Sequence, residues 1–229
     1  MSPRRTLRPP LDRRSIAEAA LRLIDAHGLP ELSMRRLGAG LGVEAMAIYH
    51  HFGNKGELLD AVLDLLLEEL QPPEGAMEPV DRLRRTFEAT RDVALRHPRA
   101  FLLVATRRFT TDAQLDYYER LLAIFRDAGM DPAGAARWFR ILAAFTTGFG
   151  MAEIGSRAKQ PDATPLRLET FNDPARYPLV SAVVPHLRVN RLEPIFEFGM
   201  DRLFDALRDD VRTVRRAASP ARKRSRRST

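Results

Sequence analysis

Apolar side chains recur at three- and four-residue intervals along most of the chain, and no segment alternates apolar and polar positions with β-branched residues, so the pattern predicts an all-α fold. A first helix is expected after Pro9-Pro10, with Ile16, Ala19, Ala20, Leu23 and Ile24 on one face, ending at Gly28 with Pro30 beyond it. Two short helices should follow. A fourth should start at Asn54, a suitable N-cap, and carry Leu58, Leu59, Val62, Leu65, Leu66 and Leu70. Pro72-Pro73, Gly75 and Pro79 then break the periodicity and mark the expected boundary between two domains. Beyond it, 80–97, 99–109, 112–128 and 132–157 read as helices, separated by Pro98, Thr110-Thr111 and Gly129. Residues 160–194 hold six of the 16 prolines, which predicts a long irregular connection with one short helix over 175–187. A last helix over 193–215 places Phe196, Met200, Leu203, Phe204, Leu207 and Val211 on one stripe. The expected organisation is a flexible basic arm (1–11), a small helical domain (12–71), a helical bundle (80–215) and a disordered basic tail (216–229).

A chain of 229 residues, 45% hydrophobic and 29% charged, can bury a core without staples. The absence of cysteine excludes a disulfide framework and any thiolate zinc site. The longest apolar run, 141–152, is too short for a bilayer, which needs about 20 residues, and no apolar run follows the basic N-terminus; a cytoplasmic protein without a membrane span is the expectation.

The net charge of +7 is unevenly placed. Residues 215–229 carry seven basic side chains and no acid, and residues 1–15 carry five arginines against Asp12, so the body between them is net negative. Cationic ends on a mildly acidic body suit arms that reach a polyanion, and nucleic acid is the leading partner. A solvated tail that serves only solubility is the plainer reading.

The segment 32–52 carries the most specific pattern. Ser33 can cap a short helix whose Leu37 and Leu41 face inward, and Gly42 supplies the left-handed position a tight turn needs. Ile48 and Phe52, four apart, set a second short helix against the first, which makes a helix-turn-helix whose second helix can enter a major groove. On that helix Met46, Tyr49 and His50 point away from Ile48, and Ala45 lies at its N-terminal end. Gly38 and Gly40 cost helix propensity, about 1 kcal/mol each relative to Ala, but their small size allows a close helix approach.

These residues, with Leu41-Gly42-Val43, Ile48-Tyr49-His50-His51-Phe52 and Asn54-Lys55-x-x-Leu58-Leu59, resemble the DNA-binding domain of TetR-family transcriptional repressors over about residues 12–70. The resemblance implies that Tyr49 and Lys55 hold the operator mainly through phosphates, that Arg35 reads a guanine through its O6 and N7, and that Ser33 and His51 make polar backbone contacts. Ala45 and Met46 offer no bidentate hydrogen bond, so readout by the second helix should lean on thymine methyls and DNA shape. Residues 1–70 hold nine basic and ten acidic groups, so phosphate neutralisation is expected from local placement: Arg4, Arg5, Arg8, Arg13 and Arg14 in the arm, with Arg35, Arg36 and Lys55 on the motif.

Other chemistries find little footing. The glycine run 38–42 has no preceding strand to make a nucleotide-binding loop, and adjacent His50 and His51 project about 100° apart, which suits DNA contact better than chelation. His27 and His97 sit at expected helix ends. No nucleophile elbow or zinc-protease pair occurs, so no catalytic residue, metal or cofactor is expected and the protein is read as a non-enzyme. A non-specific architectural nucleic-acid-binding protein using its basic termini remains the alternative; it accounts for the tails but not for Tyr49 and Lys55.

Segment 87–157 is similar to the tetracycline-repressor type of C-terminal domain, which implies a ligand pocket inside the bundle and induction by differential affinity. The family's metal-binding histidine falls on Leu103 and its other pocket histidine near Gln71, so the expected effector is an apolar or aromatic small molecule without metal, lined by Phe101, Leu103, Trp138, Phe145 and Phe149. The stretch 138–149 is apolar nearly all round, which calls for cover on more than one side. A homodimer is expected, paired through Phe139, Leu142, Phe196, Met200, Leu203, Phe204 and Leu207, with a palindromic operator read by two helices about 34–36 Å apart.

Overall fold

The computed structural model describes residues 11–107, 109–157, 173–187 and 192–225, with side chains of the last segment through Arg216. Among the described residues every regular element is helical: α1 (Arg13–His27), a single 3-10 turn (Leu29–Glu31), α2 (Met34–Leu41), α3 (Ala45–Tyr49), α4 (Lys55–Glu68), α5 (Pro79–Arg96), α6 (Leu102–Thr106), α7 (Asp112–Asp127), α8 (Pro132–Arg157), α9 (Pro178–Leu187) and α10 (Glu193–Ser225). Local chemistry sets most ends. Asp12 and Ser15 form a capping box at α1, and Gly28, at φ 93°, closes that helix by donating its N–H to the Ile24 carbonyl. Thr111 and Gln114 cap α7 in the same reciprocal way.

The chain divides into two compact units, Met1–Met151 and Ala152–Thr229. The proline-rich stretch at 72–79 lies inside the first of these units. In the first unit α4 packs against α1, α6 and α7, and it is tied to the latter two by half-buried polar contacts that hydrophobic periodicity does not register. That unit has a core of Ile16, Ala20, Ile24, Leu37, Ile48, Phe52, Leu58, Val62 and Leu66, continued by Leu83, Phe87, Phe101, Leu121, Ile124 and Phe125. A Cβ on Gly150 would lie 2.8 Å from the Ala94 Cβ and 3.2 Å from the Phe101 ring, so α8 crosses α5 and α6 at a point only glycine permits.

Two ends differ from expectation. The helix expected at 99–109 is confined to Leu102–Thr106, because Pro98 and the turn that follows it occupy its start. The disordered tail expected from residue 216 is instead helical through Ser225, where alanine, arginine and lysine are good helix formers. The arm residues Arg4, Arg5 and Arg8 lie outside the described residues.

Candidate nucleic-acid interface

The head is built by burying one side of each short helix. Leu37 on α2 and Ile48 and Phe52 at α3 are sealed in the core, which turns Met46, Tyr49 and His50 outward; Met46 is 65% exposed and Tyr49 47%. The turn between α2 and α3 is tight. Gly42 sits at φ 65° and donates to the Ala39 carbonyl, and Val43 N–H donates to the Gly38 carbonyl at 2.9 Å. A Cβ on Gly38 would fall 2.8 Å from the Val43 carbonyl oxygen, so the close approach read from its small size is real, while Gly40 has nothing within 4 Å of that position.

Ser33 caps α2, its Oγ accepting from the Arg36 N–H at 3.2 Å. Arg35 is exposed in the first turn of the same helix. Ala45 is half-buried at the start of α3, and His51 is half-buried after it. Lys55 opens α4 under the Asn54 cap and donates through Nζ to the Leu32 carbonyl at 2.6 Å. The lysine expected to hold phosphate thus also ties the entry of α2 to the start of α4.

Several cations expected on phosphates have protein partners. Arg36 pairs with Glu31. Arg14 lies in α1 rather than in an arm and grips Glu68 with two bonds of 2.9 and 2.8 Å, an attachment that raises its affinity for its proton further. Arg13 donates to the His51 carbonyl and lies 4.2 Å above the Phe52 ring, joining α1 to the end of α3. Periodicity gives no sign of that bracing, because a basic residue next to Arg4, Arg5 and Arg8 in the sequence reads as part of the same arm. The outward surface left by these ties is Arg35, Met46, Tyr49 and His50, with Ser33, Ala45 and Lys55 beside them.

The expected effector residues are placed differently from one another. Phe101, Leu103 and Trp138 are buried, whereas Phe145 and Phe149 are half-buried, with ring centroids 5.8 Å apart. A solvent-open groove of about 410 Å³ in the first unit is lined by Gln71, Pro72, Glu74, Arg82, Arg120, Ala123, Ile124 and Asp127, and by none of those five. Of the side chains expected to pair two subunits, Leu142, Phe196, Met200, Phe204 and Leu207 are buried within the single chain, and Phe139 and Leu203 are half-buried. Phe139 is enclosed by aromatic neighbours, 5.1 Å from Tyr118 and 6.5 Å from Phe87. An amphipathic stripe reports only that a face is covered, and the chain itself covers most of this one. Exposed apolar side chains among the described residues include Leu179, Val180, Val183 and Leu187 on α9, Ile195 and Phe198 on α10, Ile141 on α8, and Leu115 and Leu122 on α7. No helix among the described residues is long and apolar enough to cross a membrane.

The family model described as "Bacterial regulatory proteins, tetR family" matches residues 16–62, and that described as "Tetracyclin repressor-like, C-terminal domain" matches residues 71–211. The HTH-type transcriptional repressor DrrR1 of Streptomyces coeruleorubidus is 30% identical over 239 residues, an alignment that covers 95% of this chain and 85% of that one. A possible TetR family transcriptional regulator from Streptomyces coelicolor A3(2) superposes with a TM-score of 0.72 at 29% identity, covering 86% of this chain and 99% of that one. ActR from Streptomyces coelicolor, solved in complex with (S)-DNPA, does so with a TM-score of 0.73 at 25% identity over 87% and 98% of the two chains. With both halves matched and an outward-facing helix-turn-helix in place, the chain belongs to the TetR family of transcriptional regulators.

Proposed function

We propose that this protein is a homodimeric repressor that binds a palindromic operator through α2 and α3 and is released by a small apolar or aromatic effector. The observation that carries the reading is the exposure of Met46 and Tyr49 on a helix whose opposite side, Ile48, is sealed in the core. Tyr49 and Lys55 hold phosphates, and Ser33 and His51 add polar backbone contacts. Arg35 reads a guanine, while Ala45, Met46 and His50 face the base edges. Repressors match both halves of the chain, which leaves the architectural reading on the basic ends without support.

Effector binding follows from the aromatic interior of the bundle and from the ligand held by ActR. Phe145 and Phe149 offer the accessible aromatic surface, and admission next to Phe101, Leu103 and Trp138 requires the bundle to open. The subunits pair through the exposed apolar side chains of α9 and α10, with Ile195 and Phe198 at the centre in place of the buried residues of the α10 stripe. Selection from random duplex DNA, followed by footprinting of the recovered site, tests the reading. A protected two-fold repeat preferred over bulk DNA by a factor of about 10³ or more is expected; equal binding to all duplexes would sink it.

A further inference from the structure

The turn after α5 meets the DNA-binding head through a histidine held between two carboxylates on different helices. His97 Nδ1 lies 2.7 Å from Asp25 Oδ2, near the end of α1, and its Nε2 lies 3.0 Å from Glu69 Oε1, the residue that closes α4. Arg96 pairs with the same Glu69, and Arg99 donates to the backbone carbonyls of Asp25 and Ala26. The His97 side chain is only 12% exposed, with Asp25 at 28% and Glu69 at 30%, so solvent screens the group weakly. The second Asp25 oxygen, Oδ1, is buried and finds no donor among the described residues.

Ionised carboxylates only accept hydrogen bonds. A neutral imidazole has one N–H and one lone pair, so it can satisfy one of these two contacts and must set its lone pair against a carboxylate oxygen in the other. The doubly protonated ring donates to both. Its charge also answers the half-buried Asp25 carboxylate, since Arg99 spends its contacts on main-chain carbonyls and Arg96 faces Glu69.

We propose that His97 is a proton-dependent positioning residue for the reading head: doubly protonated, it clasps α1 and α4 to the end of α5, and loss of one proton releases one carboxylate. The proposal rests on the operator-binding reading. Both clasped helices reach the interface: Arg13 on α1 braces His51 at the end of α3, and Lys55 stands at the start of α4. A proton therefore acts on DNA affinity as an effector does, and by linkage operator binding changes the occupancy of that proton.

The test uses the full chain and a duplex recovered by selection from random DNA. Operator affinity is measured at constant salt between about pH 5 and about pH 8, the range in which histidine side chains ordinarily change charge, for the natural protein and for His97→Gln. Every other group is common to both proteins, so the clasp is read in the difference between the two profiles. The natural protein's affinity should vary by about fivefold more across the range than the variant's. Its melting temperature should also fall relative to that of His97→Gln as pH rises, because the stabilising contacts need the proton. Superimposable profiles in both measurements would overturn the proposal. Should His97→Gln fail to fold, Glu69→Gln takes its place, and a pH profile as steep as the natural protein's overturns the clasp. Failure to recover any preferred duplex would instead strike the regulatory reading, and the melting comparison would still decide the clasp.

Discussion

Arg107 Nε donates to Asp60 Oδ1 at 2.8 Å, while its Nη2 donates to the Gly56 carbonyl at 3.1 Å, so the end of α6 holds the first turns of the helix that begins at Lys55. One turn on, Asp64 Oδ1 accepts from Thr111 Oγ1 at 2.9 Å and Gln114 Nε2 at 2.6 Å. Replacing Arg107 by methionine leaves a largely buried carboxylate without its partner. The unfolding free energy should drop by about 2 kcal/mol in urea titrations, and an unchanged midpoint and slope would show that the grip contributes nothing.

Two glycines of α2 should respond to alanine in opposite directions, although both gain helix propensity. Gly38→Ala drives a Cβ against the Val43 carbonyl oxygen, where the backbone has no room to yield, and should destabilise the protein by about 1–3 kcal/mol. Gly40→Ala meets open space and should stabilise by up to about 1 kcal/mol. Thermal melts that moved in the same direction for both variants would contradict the packing assigned to α2 and α3.

Substitution at the outward side chains should separate affinity from stability. Tyr49→Ala and Met46→Ala remove exposed groups and should weaken operator binding about tenfold or more with no change in melting temperature. Lys55→Ala should lower both, because the ammonium also holds the Leu32 carbonyl. A Lys55→Ala protein as stable as the parent would confine that lysine to the DNA.

Burial pushes the Tyr117 phenol far above the ordinary tyrosine range, helped by neighbouring Tyr118, whose own phenol is raised by burial as well. A folded-state value above the unfolded one means stability is whole below about pH 10 and falls as pH rises past it. Spectrophotometric titration should show ionisation of these two phenols coinciding with unfolding. Their ionisation in the intact fold at an ordinary tyrosine pH would refute the assigned burial.

Phe198→Asp should shift the protein toward monomer in sedimentation, since this side chain is 67% exposed and lies beside exposed Ile195. Phe204→Asp should instead unfold the chain, being buried in a single copy. A dimer unaffected by Phe198→Asp would move the pairing surface elsewhere.

Period, caps and glycines are local properties, and these made the head legible in the amino-acid order alone. Ser33 and Asn54 start helices because a side-chain oxygen three residues upstream satisfies an otherwise unpaired N–H, and Gly28 and Gly42 end them because only glycine takes a positive φ at low cost. Outward placement of Met46 and Tyr49 follows from the same period, once Ile48 and Phe52 are buried. Which cation meets which anion is not local. Arg14 with Glu68, Arg107 with Asp60 and His97 with Asp25 and Glu69 are separated by dozens of residues, and a charged side chain looks the same in the sequence whether it faces solvent, DNA or a distant carboxylate. The tertiary structure alone decided those partnerships, and with them which cations are spent inside the protein. It also decided that the stripe of α10 is filled within one chain, because periodicity shows that a face is covered and carries no record of what covers it.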